Sequence, residues 1–153
     1  MFEVKYQIIH QNYDNFESIS EIDIRYGFLA GSIILSTSDA KIEMEWEWIP
    51  LLDFAYCMKK IVSNLKTNGT SKEYFEFTEN AETLEFLRCE KQLTISASFS
   101  PVIIITDWEI FEKAVNDFHF NIGAYIRNNT SDELPKVLQK YLSDETTRDE
   151  AVS

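Results

Sequence analysis

The sequence is poor in the residues that mark stapled, flexible or redox-active chains. Two cysteines, Cys57 and Cys89, neither with a CxxC neighbour, exclude a disulfide scaffold and a thioredoxin-like motif. Four glycines and three prolines leave little material for long flexible linkers. The longest purely apolar run, Val102-Ile103-Ile104-Ile105, is far too short to span a bilayer. Met1-Phe2-Glu3-Val4-Lys5 opens straight into an alternating pattern with no apolar signal-peptide core, so the expectation is a cytoplasmic chain with reduced, buried thiols.

Catalytic signatures are equally scarce. GxGxxG, GxxxxGK, GxSxG and HExxH are all missing. Only His10 and His119 could serve as neutral-pH bases. His10 falls at a strand end beside a polar turn, and His119 lies between Phe118 and Phe120 on a helix. Both read as surface or core-boundary residues. Metal ligands are thin: Asp14, Glu17 and Glu21 near His10, or Glu112, Asp117 and His119 on one helix, lack zinc spacing and the glycine-bearing loop of an EF-hand. The expectation is a protein without metal or cofactor, and no enzyme. A carboxylate-based hydrolase remains the catalytic alternative, because glycosidases need only two acids. With 26 acidic residues, however, accidental pairs are expected.

What is present is a globular composition with an unbalanced charge. In 153 residues, 44% hydrophobic and 14% aromatic content rules out a disordered chain and suits one domain. Fourteen basic against 26 acidic residues give a net charge of −12 and a pI near 4.5. Such a field repels nucleic acid and anionic lipid and attracts cationic partners. The excess sits at both ends: 9 acids against 3 bases in residues 1–50, 7 against 6 in 51–100, and 10 against 5 in 101–153.

Periodicity sets the expected elements. Alternation over 2–9 predicts a first strand, and Ile22, Ile24, Tyr26 and Phe28 a second over 20–28. Residues 32–37 and 41–48 make a third and fourth. Leu51, Phe54, Ala55, Met58, Ile61, Val62 and Leu65 then fall at helical steps, giving a helix over 50–66 with Pro50 in its first turn and Asn68-Gly69 as its stop. Residues 72–78 and 83–89 read as a hairpin and 92–99 as another strand, while Pro101 confines 102–105 to a short extension or edge. A second helix over 107–127 repeats Trp108, Phe111, Val115, Phe118, Ile122 and Tyr125, with Thr106 and Glu109 as its capping box. A third helix spans about 133–142. The prediction is an α+β fold: an antiparallel β-meander sheet of six to eight strands with two or three helices packed on one face. Residues 1–143 form one domain, and 144–153 are a polar, frayed tail.

The acidic strand carries the functional expectation. In Lys41–Trp48 the alternation puts Ile42, Met44, Trp46 and Trp48 on the core face and Glu43, Glu45 and Glu47 on the other, about 6.8 Å apart. Aligned like charges gain nothing for folding. They read either as a ridge that meets a partner's lysines and arginines, with a spacing near two phosphate steps, or as a solvated face that discourages edge pairing. Glu76, Glu79 and Glu82 on the hairpin, flanked by Glu73 and Glu85, form a second candidate, diluted by Lys72, Arg88 and Lys91.

The order of elements resembles small acidic immunity proteins of bacterial toxin systems, including contact-dependent inhibition systems. The resemblance covers roughly residues 2–142. It rests on the acidic meander ending in Glu45-Trp46-Glu47-Trp48-Ile49-Pro50-Leu51-Leu52, on the helix after it, and on the Thr106-Asp107-Trp108-Glu109 helix start. It implies a cytosolic protein that binds one cognate toxin, often a nuclease, and occludes its active site. It carries over no individual binding residue. The expected partner is therefore a basic protein, a bacterial toxin domain, met through Glu43, Glu45, Glu47, Glu76, Glu79 and Glu82. Neither direct nucleic-acid nor membrane binding is expected, and the oligomeric state stays open. An acidic regulatory or DNA-mimic module is the alternative binding role.

Overall fold

A computed structural model describes residues 1–11, 18–67, 70–130 and 133–143. Strand β1 (Glu3–His10) is followed by helix α1 (Glu21–Tyr26), strands β2 (Ala30–Ser36) and β3 (Lys41–Pro50), and helix α2 (Leu51–Lys66). Strands β4 (Thr70–Glu76), β5 (Thr83–Cys89), β6 (Gln92–Ala97) and β7 (Ser100–Asp107) come next, then helices α3 (Trp108–Asn128) and α4 (Lys136–Leu142). The class is α+β and every strand pairing is antiparallel.

The single meander expected from the sequence is divided in two. β1-β2-β3 make one sheet and β4-β5-β6-β7 another. Pro50 ends β3 and caps α2, so the chain crosses the core as a helix before pairing resumes. One hydrophobic cluster nevertheless draws on both sheets and all four helices: Ile33, Met44, Phe86 and Ile104 from strands, Ile24, Phe54, Phe111 and Leu138 from helices. Phe54 of α2 is the hinge of this packing. Its ring meets Phe75 of β4 at 5.0 Å, Phe77 at 6.0 Å and Phe118 of α3 at 6.0 Å.

The expected strand over 20–28 is a helix. Ser20 and Asp23 close a reciprocal capping box: the Ser20 backbone N–H donates to Asp23 Oδ2 at 2.9 Å, and the Asp23 N–H to Ser20 Oγ at 3.3 Å. Of the four residues read as one buried face, only Ile24, within the helix, and Phe28, in the turn just after it, are buried. Ile22 and Tyr26 are 70% and 51% exposed.

Smaller shifts have local causes. β7 runs the full length from Ser100 to Asp107, because its place at the sheet edge tolerates Pro101 and a register shift at Ser96/Ala97 absorbs it. Asp107, not Thr106, caps α3, its carboxylate accepting the Glu109 N–H at 2.9 Å. α4 begins at Lys136 after Pro135. Gly31 is required by close approach: a Cβ there would strike the Gln7 carbonyl of β1. The Asn68-Gly69 stop and the 144–153 tail lie outside the described residues. No helix among the described residues is long and apolar enough to cross a membrane.

Candidate functional site

The acidic strand is less regular than its sequence. Ile33 faces Met44 and Gly31 faces Ile49, so the single residue Ser32 on β2 stands opposite the four residues Glu45–Trp48 on β3. This is a bulge of three extra residues. Glu47 takes a left-handed φ of 68°, and its N–H donates to Ser32 Oγ at 3.0 Å. Glu43, Glu45 and Glu47 are all exposed. The even phosphate-like spacing expected through Glu47 is interrupted after Met44, because the ladder that would impose it stops there.

The bulge presses two half-buried tryptophans together. Trp46 and Trp48 stack at 5.4 Å with an interplanar angle of 12°. Trp46 also meets Phe77, just beyond β4, at 5.0 Å and Phe99, between β6 and β7, at 4.9 Å. This aromatic junction joins the two sheets, and it brings the bulge to the loops of the second one. Phe77 lies beside the β4–β5 turn, where its N–H donates to the Glu82 carbonyl at 2.9 Å. Glu82 Oε2 accepts from Ser98 Oγ at 3.0 Å. Through these rings the bulge that carries Glu45 and Glu47 is joined to the segment that leads into the turn bearing Glu79 and Glu82. No ion pair among the described residues uses Glu43, Glu45, Glu47, Glu76, Glu79 or Glu82. Glu85, by contrast, is paired with Lys72 at 3.6 Å, and Glu73 accepts from Asn64 Nδ2 at 3.2 Å.

Glu76 belongs to a different place. It lines a cleft of about 550 Å³ bounded by α1, α2, α4 and the edge strand β4. Asp53 of α2 lies on the floor of this cleft, only 9% exposed. Burial raises its carboxyl pKa from 3.8 to about 6, with Arg25 opposing that shift and Glu21 adding to it. Arg25 is engaged with Glu21 at 3.4 Å, and the Tyr141 hydroxyl also donates to Glu21 at 3.4 Å. Burial pushes the Tyr141 phenol up to about 12. Cys57, half-buried on the same wall, is likewise pushed up to about 12 by burial and then by the Asp53 charge. Cys89 is exposed at the end of β5, where the strand runs out and nothing covers it, which corrects the expectation of two buried thiols.

Sequence reasoning missed this cleft. Its trace was the stripe Asp53, Tyr56, Cys57, Lys60 and Asn64, at helical spacing on α2 beside the apolar stripe that defines the helix.

The remaining candidates have other employment. His119 is buried, not at the surface, because α4 packs over it; its Nε2 lies 2.8 Å from the Tyr141 carbonyl. Glu112 pairs with Lys66 at 2.9 Å and Asp117 with Lys113 at 2.7 Å. Among the described residues, no three His, Cys, Asp or Glu side chains gather as a metal site. Asp14 and Glu17 lie outside those residues. Trp108, Phe111 and Phe118 of α3 are core, with the Arg88 guanidinium 4.2 Å over the Trp108 ring. No family model, no curated protein and no solved structure matches the chain.

Proposed function

We propose that this chain is a non-catalytic binding protein that covers a basic protein partner, in the manner of an immunity protein masking a bacterial toxin domain in the cytoplasm. The observation that supports this reading most directly is the Trp46–Trp48–Phe77–Phe99 junction. Its rings join a bulge carrying exposed Glu45 and Glu47 to the β4–β5 turn carrying exposed Glu79 and half-buried Glu82, none of the four in an ion pair among the described residues. Half-buried tryptophans beside a charged rim have the composition of a protein interface centre and its border. The acids would steer a cationic partner inward over roughly a Debye length, about 8 Å at physiological salt, and the indoles would supply buried contact area. Glu43 continues this rim along β3.

The test is kinetic. The basic protein that copurifies with this chain from its native host at low salt is mixed with wild type and with a variant carrying glutamine at 45, 47, 79 and 82. Association of the variant should be about tenfold slower or more, with a flatter dependence on salt, as removal of steering charge requires. Equal association rates for both proteins at low salt would sink the proposal.

A further inference from the structure

The α1–α2–α4–β4 cleft holds a carboxylate that its own walls answer only from a distance, through Arg25. Asp53 is nine-tenths buried and lines the cavity, yet among the described residues no hydrogen bond or ion pair reaches its carboxylate. The other charges nearby are mostly engaged. Glu21 and Arg25 hold each other at 3.4 Å, and Glu73 takes the Asn64 amide at 3.2 Å. Lys60 lies 5.3 Å over the Tyr56 ring and Lys140 lies 6.0 Å over that of Tyr141. Around the cleft four acids, Glu21, Asp53, Glu73 and Glu76, face three bases, Arg25, Lys60 and Lys140, and among the described residues no ion pair reaches Asp53 at the floor or Glu76 at the rim.

We infer that this cleft is a binding site for an alkyl-guanidinium or alkyl-ammonium group, with Asp53 as its deep acceptor and Glu76 as its outer one. An anion would meet the uncompensated carboxylates, and an apolar group would seal Asp53 away from water without a partner. A guanidinium answers both acids and can also lie against a tyrosine face, as the lysines of the wall already do. Tyr74, 59% exposed beside the cleft, offers a further ring. The cavity falls within the usual size of small-ligand clefts, about 300–1,000 Å³. The cation has two possible sources, a free small amine or guanidine, or an arginine or lysine side chain of a polypeptide. The site stands independently of the toxin reading, since it needs no cognate partner.

The experiment titrates the full chain at pH 7.5 with N-acetyl-argininamide, N-acetyl-lysinamide and the neutral isostere N-acetyl-citrullinamide, followed by NMR shift changes or calorimetry. The two cations should bind and citrullinamide should not. Asp53→Asn should weaken argininamide binding about ten- to a hundredfold, the range of a hydrogen bond to a charged group. Glu76→Gln should weaken it less, and Glu109→Gln on α3 should leave it unchanged. Thermal unfolding of each variant confirms that it is folded. If acetyl-Gly-Arg-Gly-amide binds several-fold tighter than argininamide, the site takes its cation from a chain; equal affinities assign it to a free small molecule. The inference is overturned if citrullinamide binds as well as argininamide. It is equally overturned if Glu109→Gln weakens binding as much as Asp53→Asn, for that would show diffuse attraction to a negative protein.

Discussion

Glu45, Glu47 and Glu79 stand exposed on the surface, whereas Asp53 lies on the floor of a cleft, only 9% exposed. The exposed acids keep their hydration, so they cost the fold little and act on charges at a distance. The buried acid has lost most of its hydration and gained no hydrogen bond, and burial shifts its acidity. The two regions therefore respond differently to the same kind of substitution. In the first, stability resides in rings, and the recognition we propose resides in charges. In the second, one carboxylate bears on stability and on the cation binding we infer.

The widest separation should come from a ring. Phe77 is 1% exposed and its ring touches those of Trp46, Trp48, Phe54 and Phe75. Phe77→Ala should cost about 3–5 kcal/mol, read from urea unfolding, because it empties the seam where the two sheets meet. Glu45→Gln with Glu47→Gln, on the same junction, should change stability by no more than about 0.5 kcal/mol each. A Phe77→Ala loss below about 1 kcal/mol would mean that the seam is not packed as described.

Asp53 should behave in the opposite sense. Its folded pKa is about 6 against an ordinary 3.8, so between those values the folded chain keeps a proton that the unfolded chain releases. Its contribution to stability is fully present below pH 3.8 and is lost as pH rises through 6. At about 1.4 kcal/mol per pKa unit, the charged form carries a penalty of roughly 2–3 kcal/mol at pH 8. Asp53→Asn should thus stabilise the protein by about that amount at pH 8, with the gain fading to nothing below pH 4. Unfolding curves for both proteins at pH 8 and pH 3.5 decide it. A variant less stable than wild type at pH 8 would show that Arg25 outweighs burial.

The same contrast explains what could be read from sequence. α2, α3, the β4–β5 hairpin and the exposure of Glu43, Glu45 and Glu47 were legible because each follows from local period and turn chemistry. Over 20–28, alternating apolar residues resembled a strand, but a capping box between Ser20 and Asp23 decided the matter for a helix. The division into two sheets was hidden, since strand order depends on where α2 crosses and no local pattern records it. The Glu47 bulge was hidden too, as an alternating sequence is compatible with an interrupted ladder. Nothing in the local pattern singled out Asp53, because its burial is created by α1, α4 and β4, elements outside its own helix.

The smallest effect probes the cleft wall through its thiol. At pH 8, iodoacetamide should modify exposed Cys89 readily, while Cys57, held at a pKa of about 12, should lag by more than about a hundredfold for want of thiolate. Peptide mass spectrometry over time separates the two sites. Asp53→Asn should then quicken Cys57 modestly without bringing it level with Cys89, because it removes the second cause of the shift and leaves burial, the first. Equal rates at the two cysteines in wild type would mean that Cys57 is open to water, and Asp53 one turn away would then have no dry floor to stand on.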